Sequence, residues 1–198
     1  MEESYYNSIA KSYNELHGEE QKKKFNLIKI ELSKYYSDKE INKLKILDIG
    51  AGTGIASFET ATLLEPSREL LKLAKQKNKF VGSAEKLPFK DQSFNLIISL
   101  SALHLTDIKK AIEEIKRVIK KDETKKKLKI DVDKDQHSNT KIIASGKEKK
   151  TKIKERPTIV LSIFKRAKNF EVIKNEIKKS FKILEEIDEG VDWIWFCE

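Results

Sequence analysis

Apolar positions along the chain follow two different periods, and their alternation predicts a sheet with helices between its strands. Four short runs are continuously apolar, as strands buried on both faces are: LKILDIG, ATLLEP, KFVGS and FNLIISL. The stretches between them leave room for helices, which is typical of a parallel α/β sheet. The opening of the chain has helical spacing instead, and we expect two helices there that separate near His17 and Gly18.

Caps and a turn mark the later elements. Ser67 precedes the helical pattern RELLKLAKQK, and Asp107 precedes a helix whose apolar residues share one face. A fifth strand, TIVLSIF, is followed by a helix in AKNFEVIKNEIKKS. Two final strands are joined by Glu189 and Gly190, which predicts a hairpin turn and an antiparallel last strand.

Charge is distributed unevenly along the chain, whose net charge is +9. Between Lys120 and Pro157 the sequence holds 14 Lys and Arg against 7 Asp and Glu, and the rest is nearly balanced. We interpret residues 122–156 as an insertion, either a solvated β-hairpin or a mobile loop. Its charge suits the phosphates of nucleic acid, but a composition rich in Lys, Glu and Ile also fits a thermophile or an AT-rich genome.

Composition excludes several classes of protein. No apolar run approaches the roughly 20 residues of a membrane span, and the opening of the chain is charged throughout, unlike a signal peptide. We therefore expect one cytoplasmic domain over residues 1–198. Cys197 is the only cysteine, which excludes an internal disulfide and a cysteine-built zinc site, and we expect it to be buried in a strand. We expect no metal site.

The stretch ILDIGAGTG joins the first strand to a glycine loop, at the strand end where parallel sheets bind ligands. Its glycines are spaced G-x-G-x-G, not G-x-G-x-x-G as in dinucleotide sites, and no Gly-Lys-Ser/Thr follows as in a nucleotide P-loop. The carboxylate of Asp48 would repel a diphosphate and attract a cation. Glu65, at the tip of the second strand, suits the two hydroxyls of a ribose. Together they indicate a ligand with a ribose, a cationic centre and no phosphate, which describes S-adenosylmethionine.

With five further blocks in order, these residues resemble the class I S-adenosylmethionine-dependent methyltransferases of the type 11 branch, which includes small-molecule and RNA-modifying enzymes. The blocks are YNSIAKSYNELHGEEQ, LLEPSRELLKLAK, GSAEKLPFKDQSFNLIISLSALH, IKKAIEEIKRVIKKD and TIVLSIFKR. The resemblance implies a doubly wound, mostly parallel seven-stranded sheet with an antiparallel last strand. It divides the chain into N-terminal helices (1–42), a cofactor-binding core (43–121), the basic insertion (122–157) and C-terminal strands with a helix (158–198).

The resemblance also implies which residues hold the cofactor. Its methionyl part is expected over the glycine loop near Asp48, and its ribose on Glu65. Ser83 takes the place of an aspartate that the family usually has beside the adenine. The full set predicted to bind the cofactor is Asp48, Gly50, Ala51, Gly52, Glu65, Pro66, Ser83, Ala84 and Ser99.

Two residues are candidates for a direct part in the reaction. His104 follows the fourth strand, at the rim of the expected pocket, and the near-neutral pKa of imidazole suits it to take a proton from the acceptor. The alternative is a histidine that packs on the next helix. Tyr13 matches a family position that closes over the active site, and the alternative is an aromatic residue of the core.

The acceptor and the mode of action stay open at this point. About ten residues separate Gly50 from the second strand, so a helix in IASFET has two turns at most. This short crossover, together with Ser83, raises the alternative of a non-catalytic or partner-activated protein. We expect a small-molecule acceptor, with RNA as the alternative. The sequence SLSALH, where related enzymes have Asn/Asp-Pro-Pro-aromatic, argues against base amines and glutamine side chains as acceptors.

Overall fold

A computed structural model describes residues 2–121 and 155–198 of the chain. Its helices are α1 (Glu2–Ile9), α2 (Tyr13–Ser33), α3 (Asp38–Ile41), α4 (Arg68–Leu73), a 3-10 turn (Leu103–Leu105), α5 (Ile108–Val118) and α6 (Phe170–Ser180). Its strands are β1 (Ile46–Ile49), β2 (Thr62–Glu65), β3 (Asn78–Val81), β4 (Leu96–Leu100), β5 (Ile159–Phe164), β6 (Ile183–Asp188) and β7 (Asp192–Cys197). Residues 122–154, which make up most of the expected insertion, lie outside the described residues.

The strands form one seven-stranded sheet in the order β3-β2-β1-β4-β5-β7-β6. The pairs among β1 to β5 are parallel, and β7 is antiparallel to both β5 and β6. This confirms the predicted α/β sheet with an antiparallel last strand. The strand order reverses between β1 and β4, which places the carboxyl ends of these strands at a crevice.

Alternate residues along the strands face two apolar layers. On one face α2, α3 and α4 pack against residues such as Ile46 and Leu63. On the other face α5 and α6 pack against residues such as Leu47 and Ile97. The period of two along each strand produces this division, and both layers hold the strand ends in fixed positions.

The predicted caps and hairpin are present. The Ser67 hydroxyl and the Asp107 carboxylate accept hydrogen bonds from backbone N–H groups in the first turns of α4 and α5. Gly190, in the turn between β6 and β7, has a φ of +102°. Cys197 is fully buried in β7, as predicted, and burial raises the pKa of its thiol to about 12.

The boundary predicted between the first two helices is wrong. α1 ends at Ile9 and α2 begins at Tyr13, so His17 and Gly18 lie inside α2. Gly18 is buried, and a Cβ on it would lie 3.3 Å from the Cδ1 atom of Ile55. The glycine therefore lets α2 pack closely on the segment after the glycine loop, a use that spacing alone does not distinguish from a helix end.

The helix expected in IASFET is absent, and residues 51–61 form turns and bends instead. Gln76 supports this irregular crossover, because its side-chain nitrogen donates to the carbonyl oxygen of Gly54 at 3.0 Å. The ring of Phe58 packs edge-on against Phe25 of α2, with 5.0 Å between the ring centroids. A crossover this short reaches the neighbouring strand β2 without a helix because side chains from outside it satisfy its backbone.

β3 is an exposed edge strand, so the expectation that it is buried on both faces is wrong. Among the described strands it pairs only with β2, and its four residues are all exposed. Phe80 and Val81 are 42% and 47% exposed. The apolar run KFVGS misled the prediction because apolar content does not show which strand lies at the edge of a sheet.

Across the described ranges, no helix has both the length and the apolar character needed to cross a membrane. The longest described helix, α2, has 21 residues and carries charged side chains along its length. The same described residues contain no group of three or more His, Cys, Asp or Glu arranged to hold a metal ion.

Candidate functional site

A cavity of ≈ 240 Å³ opens at the carboxyl ends of β1, β2 and β4. The N-terminal helices, the glycine loop and the loops after β2, β3 and β4 form its walls. Residues from several separate sequence blocks therefore meet at one place. The predicted residues that line this cavity are Tyr13, Gly50, Gly52, Glu65, Pro66, Ser83 and Ala84.

The glycine loop approaches its neighbours more closely than side chains would allow. Gly50 has a φ of +71°, and a Cβ on it would lie 2.3 Å from the Cβ of Ala102. Gly52 has a φ of +56°, and a Cβ on it would lie 3.4 Å from the ring of Tyr13. Both glycines therefore present bare backbone to the cavity, as the close approach of a ligand requires.

Glu65, at the end of β2, ties two loops together. One carboxylate oxygen accepts from the backbone N–H of Gly52 at 2.9 Å, and the other accepts from the N–H of Ser67 at 2.8 Å. The residue is 6% exposed and yet lines the cavity. A carboxylate oxygen can accept more than one hydrogen bond, so hydroxyl groups in the cavity can also donate to Glu65.

Asp48 lies next to the main cavity and not in its wall. It is 3% exposed and lines, with Ala51, a smaller hollow of ≈ 20 Å³ that shares Gly50 with the main cavity. Burial raises the pKa of its carboxyl to about 7; the Ser57 hydroxyl opposes this rise, and the charge of Glu65 adds to it. A cation brought close to Asp48 would favour the ionised form.

The loop after β3 brings Ser83 and Ala84 to the cavity. Ser83 is exposed and Ala84 is buried. The next residue, Glu85, also lines the cavity, and it accepts a hydrogen bond from the backbone N–H of Asp107 at 3.0 Å. This loop is thereby fixed to the start of α5.

The N-terminal helices cover the cavity with aromatic side chains. Tyr6 and Tyr13 line it, with 6.2 Å between their ring centroids. Burial raises the pKa of Tyr13 well above its usual value, and the charges of Tyr6, Glu65 and Glu20 add to this rise. Tyr13 therefore keeps its proton at physiological pH and offers a neutral hydroxyl.

Two asparagines fasten this cover to the loops beneath it. The side-chain oxygen of Asn7 accepts from the Ser67 hydroxyl at 2.7 Å, and that of Asn14 accepts from the Thr53 hydroxyl at 2.6 Å. Ser67 lies just beyond β2, and Thr53 lies in the glycine loop. The sequence patterns did not indicate these bonds, because single asparagines on a helix carry no periodic signal.

Four predicted residues lie outside the lining of the main cavity: Asp48 and Ala51, which line the smaller hollow, and Ser99 and His104. Ser99 is fully buried in β4, and its hydroxyl donates to the carbonyl oxygen of Ile49 at 2.9 Å. The ring of His104 lies 6.4 Å from the ring of Phe164, measured between centroids, and its carbonyl oxygen accepts from Asn169. The structure therefore does not bring Ser99 and His104 into the described cavity lining, because strand alternation and the 3-10 turn direct these side chains elsewhere, and their roles at the site stay predictions.

The described lining of the cavity carries only neutral and acidic side chains. Its ionisable groups are Tyr6, Tyr13, Glu65 and Glu85, and no Lys, Arg or His is among the described residues that line it. This differs from the chain as a whole, whose net charge is +9. The cavity therefore favours ligand groups that are positive or that donate hydrogen bonds, and it disfavours phosphate.

A buried polar network beside the cavity was missed by sequence reasoning. Lys24 of α2 lies 2.9 Å from a carboxylate oxygen of Asp192 in β7. The hydroxyls of Ser101 and Ser162 donate to the same oxygen. A signal was present, because Ser162 interrupts the apolar strand TIVLSIF and Asp192 begins the strand DWIWFC, both at positions that face α2.

Sequence comparison finds a family model and relatives that each cover part of the chain. Residues 47–123 match the model described as a methyltransferase domain. The uncharacterized protein MJ1252 of Methanocaldococcus jannaschii is 38% identical over 125 residues, which are 60% of this chain and 47% of that protein. The demethylmenaquinone methyltransferase of Thermotoga maritima is 32% identical over 95 residues, 41% of this chain and 42% of that protein. The chain thus spans less than half the length of these relatives.

Structural comparison extends over more of the chain. The crystal structure of a SAM-dependent methyltransferase from Thermotoga maritima is similar with a TM-score of 0.50. The similar region covers 77% of this chain and 80% of that chain, at 17% sequence identity. The likeness is one of fold, and it agrees with the strand order described above.

Proposed function

We propose that this chain is an S-adenosylmethionine-dependent enzyme with a small-molecule acceptor. It belongs to the class I methyltransferases by its sheet and by its methyltransferase domain at residues 47–123. One observation carries this proposal. The cavity combines bare glycine backbone with the carboxylate of Glu65, and its described lining has no basic residue. Such a cavity suits a ligand that has ribose hydroxyls, a positive centre and no phosphate.

Each part of the cofactor has a matching group in the chain. Glu65 would hold the ribose hydroxyls, and the backbone at Gly50 and Gly52 would lie under the amino-acid part. Asp48 would balance the positive charge, with Ala51 beside it. The adenine would lie between the loop at Ser83 and Ala84 and the turn at Pro66. When bound, the cofactor would supply a methyl group on a positively charged sulfur.

The chain itself contributes positioning and the exclusion of water. Transfer of a methyl group from a sulfonium leaves a neutral thioether, so the leaving group needs no acid. Tyr6 and Tyr13 cover the cavity, and Asn7 and Asn14 fasten that cover. We assign to Tyr13 the closing of the active site over its ligands.

An RNA methyltransferase that needs a partner subunit is the second candidate. The basic residues 120–157 favour an RNA acceptor, because Lys and Arg bind phosphates. Strand β3 lies at the edge of the described sheet with Phe80 and Val81 exposed, and this favours a partner that adds a strand. A non-catalytic scaffold of the same fold is a third candidate, favoured by the irregular crossover. The cytoplasmic location and the single domain over 1–198 stay predictions from the sequence.

Calorimetric titration with S-adenosylhomocysteine tests the cofactor assignment. We expect the wild type to bind and Glu65→Ala to bind at least about tenfold more weakly, because bonds to a charged acceptor contribute about 1.5–3 kcal/mol. Glu113→Ala, exposed on α5, is the matched control and should bind like the wild type. No binding by the wild type, or equal binding by Glu65→Ala, contradicts the proposal.

Deletion of residues 123–156 separates the acceptor classes. If the acceptor is a small molecule, the shortened chain keeps its activity on that molecule, and RNA retention by the full chain is weak. If the acceptor is RNA, retention falls with the deletion and declines steeply with salt. The mass in solution, measured with and without cell extract, tests for a partner subunit.

A further inference from the structure

The carboxylate in the amino-acid part of the cofactor is the group that this acidic site suits least. The main cavity and the hollow beside it together hold the carboxyl groups of Asp48, Glu65 and Glu85. No Lys, Arg or His is among the described residues that line either space. A further carboxylate would be repelled there, so its binding requires hydrogen-bond donors that are held in place for it.

The first three N–H groups of the glycine loop are already bonded within the protein. Those of Gly50 and Ala51 donate to the carbonyl oxygen of Leu64 at 2.8 and 3.2 Å, and that of Gly52 donates to Glu65 at 2.9 Å. A loop that binds phosphate instead points such N–H groups at its ligand. A carboxylate that lies over this loop therefore depends on donors from other parts of the wall.

Among the described side chains that line both spaces, those of Tyr13 and Gln21 carry a hydrogen-bond donor. Ser101 and Thr106 line the main cavity only, and their hydroxyls donate to other groups of the protein. The amide of Gln21 has two N–H donors, and within the described ranges it has no hydrogen-bond partner. Gln21 therefore has donors available at the place where the main cavity meets the hollow lined by Asp48.

Two contacts of α2 hold Gln21 in position, one on each side of it along the helix. Earlier in the helix, Asn14 accepts a hydrogen bond from the hydroxyl of Thr53 in the glycine loop at 2.6 Å. Later in the helix, Lys24 forms its buried ion pair with Asp192 at 2.9 Å. A donor whose backbone is fixed before the ligand arrives loses less freedom on binding, so more of the strength of its hydrogen bond contributes to affinity.

We propose that Gln21 donates a hydrogen bond to the carboxylate in the amino-acid part of the cofactor, and this rests on the proposed function. Asp48 balances the ammonium of the same part, so the two residues recognise the opposite charges of one amino acid. The amide is neutral, whereas a Lys or Arg at this position would compete with the ligand for Asp48 and Glu65. Gln21 thereby favours ligands with the complete amino acid over ligands that lack its carboxylate.

Calorimetric titration of the full chain with three ligands tests this assignment. S-adenosylhomocysteine has the whole amino acid, its decarboxylated analogue keeps only the ammonium, and 5′-methylthioadenosine has neither charge. We expect Gln21→Leu to bind S-adenosylhomocysteine at least about tenfold more weakly than the wild type, and to bind the other two ligands like the wild type. Unchanged binding of S-adenosylhomocysteine, or an equal loss for all three ligands, overturns the inference. Failure of the wild type to bind S-adenosylhomocysteine instead overturns the proposed function.

A charged variant of the same shape separates a role toward the carboxylate from a merely structural one. Gln21→Glu replaces the donors by a negative charge, so it should weaken S-adenosylhomocysteine more than Gln21→Leu does. The same variant should bind the decarboxylated analogue at least as tightly as the wild type, because that ligand is positive. Asn26→Leu removes an exposed amide from the same helix and should bind all three ligands like the wild type. If Gln21→Glu weakens the decarboxylated analogue as much as S-adenosylhomocysteine, Gln21 does not recognise the carboxylate.

Discussion

Lys24 and Asp192 form an ion pair with 2.9 Å between the ammonium and a carboxylate oxygen, and both side chains are closed off from solvent. The pair connects α2, which helps to cover the cavity, to β7 near the far edge of the sheet. Removing two charges from water is costly, and hydrogen bonds from Ser101 and Ser162 offset part of that cost. The pair therefore serves to fix α2 and Ser101 in place more than to add stability.

Breaking this pair from one side should destabilise the protein strongly. In Lys24→Met the carboxylate of Asp192 stays buried without its cation, and we expect a loss of about 3–5 kcal/mol in the free energy of unfolding. Lys24→Met combined with Asp192→Asn should lose less than the sum of the single variants. Urea unfolding followed by circular dichroism measures both effects.

The exposed pair of Lys72 and Glu69, 2.6 Å apart, provides the control for this prediction. Lys72→Met should cost no more than about 1 kcal/mol, because exposed ion pairs contribute little. If Lys24→Met and Lys72→Met cost the same, the buried pair does not have the role assigned to it.

Gly50 should not tolerate a side chain. In Gly50→Ala the new Cβ meets Ala102 at 2.3 Å in a backbone with φ of +71°, so we expect loss of S-adenosylhomocysteine binding and a destabilisation of at least about 2 kcal/mol. Gly190→Ala has strain at φ +102° but open space around it, and it should lose stability only. Adding Ala102→Gly to Gly50→Ala should restore part of the loss; no recovery would mean that the clash is not the cause.

The central sheet and the part of the cavity formed by the glycine loop and Glu65 could be predicted from the sequence, because the patterns that indicate them are local. The apolar run before Gly50 predicts a strand, and the carboxylate of Glu65 at the tip of the next strand follows from parallel pairing. The place of His104 could not be predicted, because one residue of shift in a 3-10 turn changes the face of a side chain.

The polar network is the larger omission, and its cause is different. Lys24 occupies a buried position of α2, where helical spacing predicts an apolar residue. Asp192 lies some 170 positions later in the sequence, and it comes close to Lys24 only through the antiparallel pairing of β7 with β5. Contacts at such separations depend on the whole topology, so a local pattern indicates at most that a polar residue in an apolar strand needs a partner.

Asp48 should make stability fall as pH rises. Its pKa is raised to about 7 in the folded protein, against about 4 in an unfolded chain. Between these values the folded protein holds the proton and the unfolded chain has lost it. The protonated Asp48 therefore adds fully to the free energy of unfolding below about pH 4, and this addition is lost as pH rises through about 7. Asp48→Asn stays neutral, so between about pH 4 and pH 8 its stability should improve against the wild type by up to about 4 kcal/mol.

Chemical denaturation at several pH values measures this difference, and Asp107→Asn is a control of opposite sign. Hydrogen bonds to backbone N–H groups, chiefly that of Lys110, hold the pKa of Asp107 below its usual value. Asp107 therefore adds to the free energy of unfolding at pH values above its pKa in the unfolded chain. This addition is lost as pH falls through its pKa in the folded protein. A difference between Asp48→Asn and the wild type that does not change with pH would contradict the prediction.

The two asparagines that fasten the N-terminal cover should control its opening. Asn7→Ala removes the bonds from the Ser67 hydroxyl and the Glu69 N–H, and Asn14→Ala removes the bond from the Thr53 hydroxyl. Each lost bond should cost only about 0.5–1.5 kcal/mol of global stability. Backbone amides of α1 and of the first turn of α2 should exchange with deuterium faster, because the cover opens without unfolding the sheet. S-adenosylhomocysteine should also dissociate faster from both variants, since Tyr6 and Tyr13 are held over the cavity less firmly.

Ser8→Ala, which removes only a local bond to the Tyr5 carbonyl, should leave exchange outside its own turn unchanged. Equal exchange in all three variants would mean that the asparagine bonds do not hold the cover.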